Sequence, residues 1–451
     1  MAQALPDCCD GCVRVADEAD EGAGRARRAV EAVWRIESPR LIAGLTRLVG
    51  DLGLAEDLAQ DALVAALEQW THDGVPANPG AWLMTVGKRR AVDHIRRDQT
   101  YARKLEQLGR DLEVGASGIA PPSSDDVVDA PDIEDDLLRL VFTACHPVLS
   151  AQARAALTLR LLGGLTTSEI ARAYLVPEAT IAQRIVRAKR TLADRHVPFE
   201  VPASDELPER LGSVLEVVYL IFNEGYSATA GDDWMRPALC EDAVRLARVL
   251  SGLMPGESEV HGLAALLEIQ SSRLLARTST DRGVVLLSEQ DRGRWNQLFI
   301  RRGFAALARG ENLANANGRP PGPYLLQAAI AACHARAMAP EETDWPTIAS
   351  LYKALVVQLP SPVVALNRAV AVAMADGPEA GLAIVDELAK DDALPQYHLL
   401  PAVRGDLLAR VGRYREAAAE FARAAEMSRN GAERELLSER AERAAEVAET
   451  S

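Results

Sequence analysis

The segment Thr166–Arg190 constrains the fold of this chain more than any other. It reads Thr-Thr-Ser-Glu-Ile-Ala-Arg-Ala-Tyr-Leu-Val-Pro-Glu-Ala-Thr-Ile-Ala-Gln-Arg-Ile-Val-Arg-Ala-Lys-Arg. Thr166-x-x-Glu169 has capping-box form, in which a hydroxyl and a carboxylate each satisfy a free N–H at a helix start. Leu175-Val176-Pro177 marks a tight turn, without the glycine often found there. Beyond it, Ile181, Ile185, Ala188 and Leu192 recur at helical spacing and form an inward stripe. Glu178, Ala179, Ala182, Gln183, Val186, Arg187 and Arg190 are left facing outward. Two short helices across a turn, the second basic opposite an apolar stripe, make the pattern of a helix-turn-helix whose second helix enters a DNA major groove.

The rest of the chain is acidic and would not by itself suggest DNA. Over 451 residues the net charge is −15, but its distribution matters more than the sum. It is −5 over residues 1–24, +3 over 25–104, −7 over 105–134, +4 over 135–199 and −10 over 200–451. Two basic islands are thus separated by an acidic linker and followed by a large acidic domain. Such a layout suits a protein that touches nucleic acid with two modules. The length implies two to four domains. Ala and Leu dominate the apolar residues and aromatics are only 4%, which favours an all-α fold. No apolar run nears the ~18 residues of a membrane span. Six acidic residues among the first 24 exclude a secretory signal. The expected location is the cytoplasm, with no membrane partner. Cys8, Cys9 and Cys12 include a Cys-x-x-Cys pair, but no second ligand pair stands nearby. The preferred reading is free thiols in a disordered extension over residues 1–28, with no metal site. Cys145, Cys240 and Cys333 sit in apolar helical contexts, as small core residues do.

Residues 29–100, in the first basic island, read as a helical bundle. On Leu54–Trp70 one stripe carries Leu54, Leu58, Ala62 and Ala65 or Ala66. The other face carries Glu56, Asp57, Gln60, Asp61 and Glu68, which on the residues alone is solvated surface. Asn78-Pro79-Gly80 marks a turn before a helix over Ala81–Arg97. Met84, Gly87, Ala91 and Ile95 share one side of it; Lys88, Arg89, Arg90, Arg96 and Arg97 make it basic. Trp82 leads this helix, and two readings of it stay open: a ring that stacks on an unpaired base, or a core tryptophan. In the second island, 135–199, helices over Asp135–Phe142 and Ser150–Leu162 precede the opening motif. Ser150 is the expected N-cap and Gly163-Gly164 the stop. Gln183 suits an adenine and Glu178 a cytosine amino group. Thr180 falls among these base-facing positions, while Arg184, Arg187 and Lys189 suit the phosphate backbone.

With these residues together, the chain resembles the extracytoplasmic-function (ECF) sigma factors of bacterial RNA polymerase. Ala55-Glu-Asp-Leu-Ala-Gln-Asp-Ala-Leu63 is similar to the region 2 helix that docks on the clamp helices of the largest polymerase subunit. Pro79–Arg97 is similar to the helix that melts and reads the −10 element, with Arg89 where many members carry Asn. Leu165–Arg190 is similar to region 4, which reads the −35 element. The resemblance implies core polymerase (clamp helices and flap) and promoter DNA as partners. It assigns Glu56, Asp57, Gln60 and Asp61 to polymerase, Trp82, Lys88, Arg89, Arg90, Arg96 and Arg97 to −10 DNA, and Glu178, Thr180, Gln183, Arg184, Arg187 and Lys189 to −35 DNA. Residues 101–134, with Pro121-Pro122-Ser-Ser-Asp-Asp126, would be the acidic flexible linker that lets polymerase set the spacing. Nothing in such a mechanism calls for catalysis, a metal or another cofactor, so no enzyme is expected.

Residues 207–445 exceed what a sigma factor needs. They read as helical throughout, and Gly405-x-x-Leu408-x-x-x-Gly412-x-Tyr414-x-x-Ala417-x-x-x-Phe421-x-x-Ala424 matches most of a tetratricopeptide repeat. Ala365–Leu388 reads as a degenerate neighbour. Glu224, Asp291, His334 and Asp344 lie in polar clusters that suit either an active site or polar ties between helices. Without a metal or nucleophile signature the ties are preferred. The same phrases, with Cys145-His146-Pro147, resemble a sigma subgroup carrying a tetratricopeptide-like extension of DUF6596 type. That implies an extension which regulates or supports sigma activity, through a protein partner or an intramolecular contact. The other reading of function is a conventional helix-turn-helix activator with a tetratricopeptide-like sensor domain.

Overall fold

The protein's structure is a computed structural model that describes residues 30, 32–110, 133–174, 176–227, 235–279, 283–390, 397–428 and 430–450. The cluster of Cys8, Cys9 and Cys12, the Pro121–Asp126 stretch of the expected linker and Leu175 of the turn lie outside these described residues. The chain divides into two compact units, with the boundary between Val214 and Leu215 and the short segment Arg172–Val176 grouped with the second.

The first unit opens with α1 (residues 32–49), α2 (Leu52–Asp73) and α3 (Pro79–Arg110). Asp51 starts α2, its side chain accepting from the Leu54 N–H at 2.7 Å. The helix buries Leu58, Ala62, Ala65 and Ala66 of the expected stripe, with Ala55, Ala59 and Trp70 beside them, while Leu54 is only half-buried. Asn78 starts α3 in the same way, accepting from the Ala81 N–H at 3.0 Å. Gly87 lets α3 close on α1, since a Cβ there would lie 3.1 Å from Leu45 and 3.2 Å from Leu41. The helix continues past Arg97 to Arg110, ten residues into the segment read as linker.

Next come α4 (Ile133–Ala144), α5 (Ala151–Leu161), α6 (Thr167–Tyr174) and α7 (Glu178–Asp194). Ser150 caps α5, and Gly164 takes a left-handed φ of +68° after its end. The capping box closes as its sequence implies: Glu169 accepts from the Thr166 N–H at 2.8 Å, and the Thr166 hydroxyl accepts from the Glu169 N–H at 3.2 Å. Ile181, Ile185, Ala188 and Leu192 of α7 are all buried. Each of the larger three contributes roughly 1.5–3 kcal/mol of burial. α8 (Leu207–Tyr226) begins in this unit, where Arg210 donates to the Phe142 carbonyl at 3.1 Å and the Ser213 hydroxyl to the Cys145 carbonyl at 2.6 Å.

The second unit takes the remainder of α8 and the helices that follow. These are α9 (Pro237–Leu253), α10 (Ser258–Ser271), α11 (Gln297–Ala316), α12 (Pro323–Arg336), α13 (Trp345–Gln358), α14 (Pro362–Asp376), α15 (Pro378–Lys390), α16 (Leu399–Arg410), α17 (Tyr414–Met427) and α18 (Gly431–Thr450). The strand content among the described residues is one antiparallel pair, Thr278–Ser279 with Gly283–Val284. Successive helices pack as hairpins, α14 on α15 and α16 on α17, with α18 against α17. The repeat-like spacing is used as its chemistry suggests. A Cβ on Gly405 would lie 3.0 Å from the Phe421 ring, and Leu408, Ala417, Phe421 and Ala424 are buried. In the neighbouring pair, Gly381 sits where a Cβ would be 2.4 Å from that of Ala373.

Candidate nucleic-acid and polymerase interface

The inward stripe of α7 fixes which residues the helix presents to solvent. Glu178, Gln183 and Arg187 are exposed, and Val186 is 64% exposed between them. Thr180 and Arg184 are half-buried at the margins of that face. A helix entering the major groove presents a strip of this width, with short side chains (Ala179, Ala182) that allow close approach. Lys189 behaves differently. It is half-buried and turned toward Glu56 of α2, with which it pairs.

On α3, Lys88, Arg89, Arg96 and Arg97 are exposed, while Arg90 pairs with Asp61 of α2 at 3.1 Å. Trp82 is half-buried. Its ring meets that of buried Trp70 edge-to-face, centroids 5.3 Å apart at 65°, yet it keeps partial exposure at the start of the basic helix. Such contacts hold an aromatic in one orientation.

The acidic face of α2 departs from its sequence reading at one residue. Asp57 and Asp61 are exposed and Gln60 is half-buried, but Glu56 is only 3% exposed. Arg160 of α5 donates to its Oε1 at 2.6 Å and Gln60 at 3.0 Å, while Lys189 meets Oε2. Burial alone would raise this carboxyl; Lys189 and Arg160 outweigh it and hold Glu56 below the ordinary carboxylate value. Helical periodicity gives an acidic residue to the outer face, and only the long-range approach of α5 and α7 covers it. Arg160 escaped the sequence reading altogether. The available signal was a lone cation within the apolar run Ala155–Leu162.

The four polar residues weighed in the second unit are not drawn into one site. Glu224 pairs with Arg236. Asp291 accepts from the Gly293 N–H at 2.9 Å, and Asp344 caps α13 through the Thr347 N–H at 3.1 Å. His334 meets Trp345 edge-to-face at 5.2 Å, and burial with Arg273 and Arg292 nearby pushes its pKa down to about 4. Glu224 and His334 make buried or half-buried packing contacts, whereas Asp291 and Asp344 are exposed and serve only their own turn and cap, so the expected tie between helices does not extend to these two.

Comparison with known proteins agrees with this arrangement. Residues 34–101 match Sigma-70 region 2, residues 139–192 match Sigma-70 region 4, and residues 210–311 match a family of unknown function, DUF6596. The chain is similar to "Uncharacterized protein R00370" of Rhizobium meliloti, 43% identical over 396 residues, 88% of this chain and 91% of that protein. It is also similar to "ECF RNA polymerase sigma factor SigK" of Mycobacterium tuberculosis (strain H37Rv), 31% identical over 176 residues, 38% of this chain and 87% of SigK. SigK of Mycobacterium sp. (strain KMS) is 30% identical over 161 residues, 35% of this chain and 77% of that protein. No solved structure matches the chain. Two DNA-reading modules of these kinds on one chain define an RNA polymerase sigma factor. The chain belongs to the ECF sigma factors and carries a helical C-terminal extension. As a member it binds core RNA polymerase and promoter DNA and directs transcription initiation. Among the described residues no helix is long and apolar enough to cross a membrane.

Proposed function

We propose that residues 29–100 dock on the clamp helices of core polymerase and open the −10 element, and that residues 135–199 read the −35 element beside the flap. The segment 101–134 joins them. In this reading Asp57, Gln60 and Asp61, with Glu56, meet polymerase. Lys88, Arg89, Arg90, Arg96 and Arg97 hold the −10 strands while Trp82 stacks on a base. Glu178, Thr180 and Gln183 face base edges, and Arg184, Arg187 and Lys189 face phosphates. Residues 207–445 modulate this activity, and the chain works in the cytoplasm, beside polymerase, without catalytic chemistry of its own. The observation that carries the reading is the geometry of α7, whose four buried apolar residues leave Gln183 and Arg187 exposed on the opposite strip. Transcription in vitro with core polymerase and genome-wide start-site mapping test it. Transcripts should share −10 and −35 elements, and an absence of any promoter-dependent transcript would overturn it.

A further inference from the structure

A cleft of about 620 Å³ opens within the second unit, among residues that match DUF6596. One wall is α9, whose Pro237, Glu241, Val244 and Arg248 recur every three or four residues and so share a face. The facing wall is made by the end of α10, the turn Leu274–Ala276 and the start of α11. Long-range contacts fix these walls. The Asn296 N–H donates to the Ser272 carbonyl at 2.8 Å. Arg248 donates to buried Glu268 of α10 at 2.6 Å, and its guanidinium lies 5.6 Å from the centroid of the Phe299 ring. The cleft is therefore built into the fold, and its volume falls within the range of roughly 300–1,000 Å³ that small-molecule sites occupy.

Its lining is mostly apolar, with Met235, Val244, Leu274, Leu275 and Phe299, and Leu275 stands 69% exposed. A few polar groups stand among them, as in sites that orient a ligand. Ser271 is 6% exposed, and its hydroxyl has no hydrogen-bond partner among the described residues. A buried hydroxyl in that state calls for a partner. Glu268 neutralises Arg248. Arg294, two residues ahead of the α11 cap, is exposed and has no side-chain partner among the described residues. Its planar guanidinium can take an oxyanion through two parallel N–H bonds. The positive end of the α11 dipole favours the same charge there. Glu241 stands roughly 10 Å along the α9 axis from Arg248. Its carboxylate disfavours a second anionic end on the ligand.

We infer that the extension holds a binding site for a small amphipathic monoanion, its charged head on Arg294 at the start of α11 and its apolar body along Val244, Leu274 and Leu275. The Ser271 hydroxyl is the further polar group within the cleft for the ligand to meet. The site lies wholly inside the second unit and does not depend on the promoter and polymerase assignments made above.

The test uses the full chain and two fluorescent probes built on one ring system: anilinonaphthalene sulfonate, a monoanion, and phenylnaphthylamine, which lacks the sulfonate. Titration should show saturable binding of the sulfonate at a single site, and the bound probe should raise the thermal midpoint. Arg294→Gln should weaken the sulfonate roughly ten-fold and leave the neutral probe unchanged. Leu275→Asp sets a charge against the apolar body and should weaken both probes by roughly ten-fold. Both side chains are exposed, so the two variants should melt with the parent when no probe is present. Equal sulfonate affinity in the parent and in Arg294→Gln would overturn the anion site, and so would a parent chain that binds no sulfonate. Hydrogen exchange locates the bound probe independently of either variant. Protection should fall on α9 and the start of α11, and protection confined to other helices would overturn the cleft as the site.

Discussion

Single residues carry the two sharpest expectations. Gln183 is exposed on α7 and carries a donor and an acceptor, the pair an adenine presents in the major groove. Gln183→Ala in the holoenzyme should cost about 1–3 kcal/mol at one base pair of the −35 element and relax preference there. Arg187→Ala should instead weaken all −35 sequences alike and lower the salt slope of promoter binding by about one. Competition binding against a panel of single-base promoter variants separates the two outcomes. Glu56 gives a pH dependence. Its folded pKa lies below its unfolded value, so its contribution is complete above the ordinary glutamate value of about 4.3 and is lost as pH falls through the depressed one. The first unit should therefore keep its stability from pH 7 down to about 5 and lose it more steeply below pH 4 than a Glu56→Gln chain does. Denaturant melts across that range measure the difference, and parallel curves would contradict the paired carboxylate.

Elements show what local sequence can and cannot reveal. The Ser150 cap, the Gly163-Gly164 stop, the Thr166–Glu169 box and the four-residue stripe of α7 all stand in the structure where their spacing put them. Each depends on neighbours within four residues, which a sequence displays directly. The end of α3 was less legible: Arg97 to Arg110 carries neither proline nor a clear stop, and charge composition read as linker is equally compatible with an exposed helix. Burial of Glu56 was not legible at all, since Arg160 and Lys189 reach it from more than a hundred residues away. In the extension, the glycines of the hairpins are where packing is tightest. Gly381→Ala would set a methyl 2.6 Å from the Ala369 carbonyl as well as on Ala373. It should destabilise the α14–α15 pair by about 1–3 kcal/mol, visible as a lower thermal midpoint of the full chain.

At the scale of the whole molecule, charge layout marks three segments but not how the extension joins the second of them. Residues 34–101, 139–192 and 210–311 fall where the basic, basic and acidic segments lie. The matched extension begins with Arg210, and this residue and Ser213 serve the first unit by holding the carbonyls of Phe142 and Cys145. Ser213 also pairs with buried Arg154. The extension is therefore stitched into region 4 through the first two turns of α8, and a chain ending before α8 would lack the Arg210 and Ser213 donors. Ser213→Ala leaves the buried Cys145 carbonyl without this donor, and should lower stability by about 1–3 kcal/mol. Hydrogen exchange should localise the loss to α4 and α5, and a loss spread evenly over α14–α18 would contradict it.

The buried thiols bear on what could signal to this protein. Cys145 and Cys240 are closed off from water, with pKa values pushed up to about 11 and about 12 by burial, and Cys333 is buried and raised as well. Peroxides and electrophiles react with thiolates, and near neutral pH these three sulfurs supply almost none. Oxidants therefore have no purchase on the folded helical core at these positions, and quantitative alkylation of the native chain at neutral pH would leave all three unmarked until it unfolds.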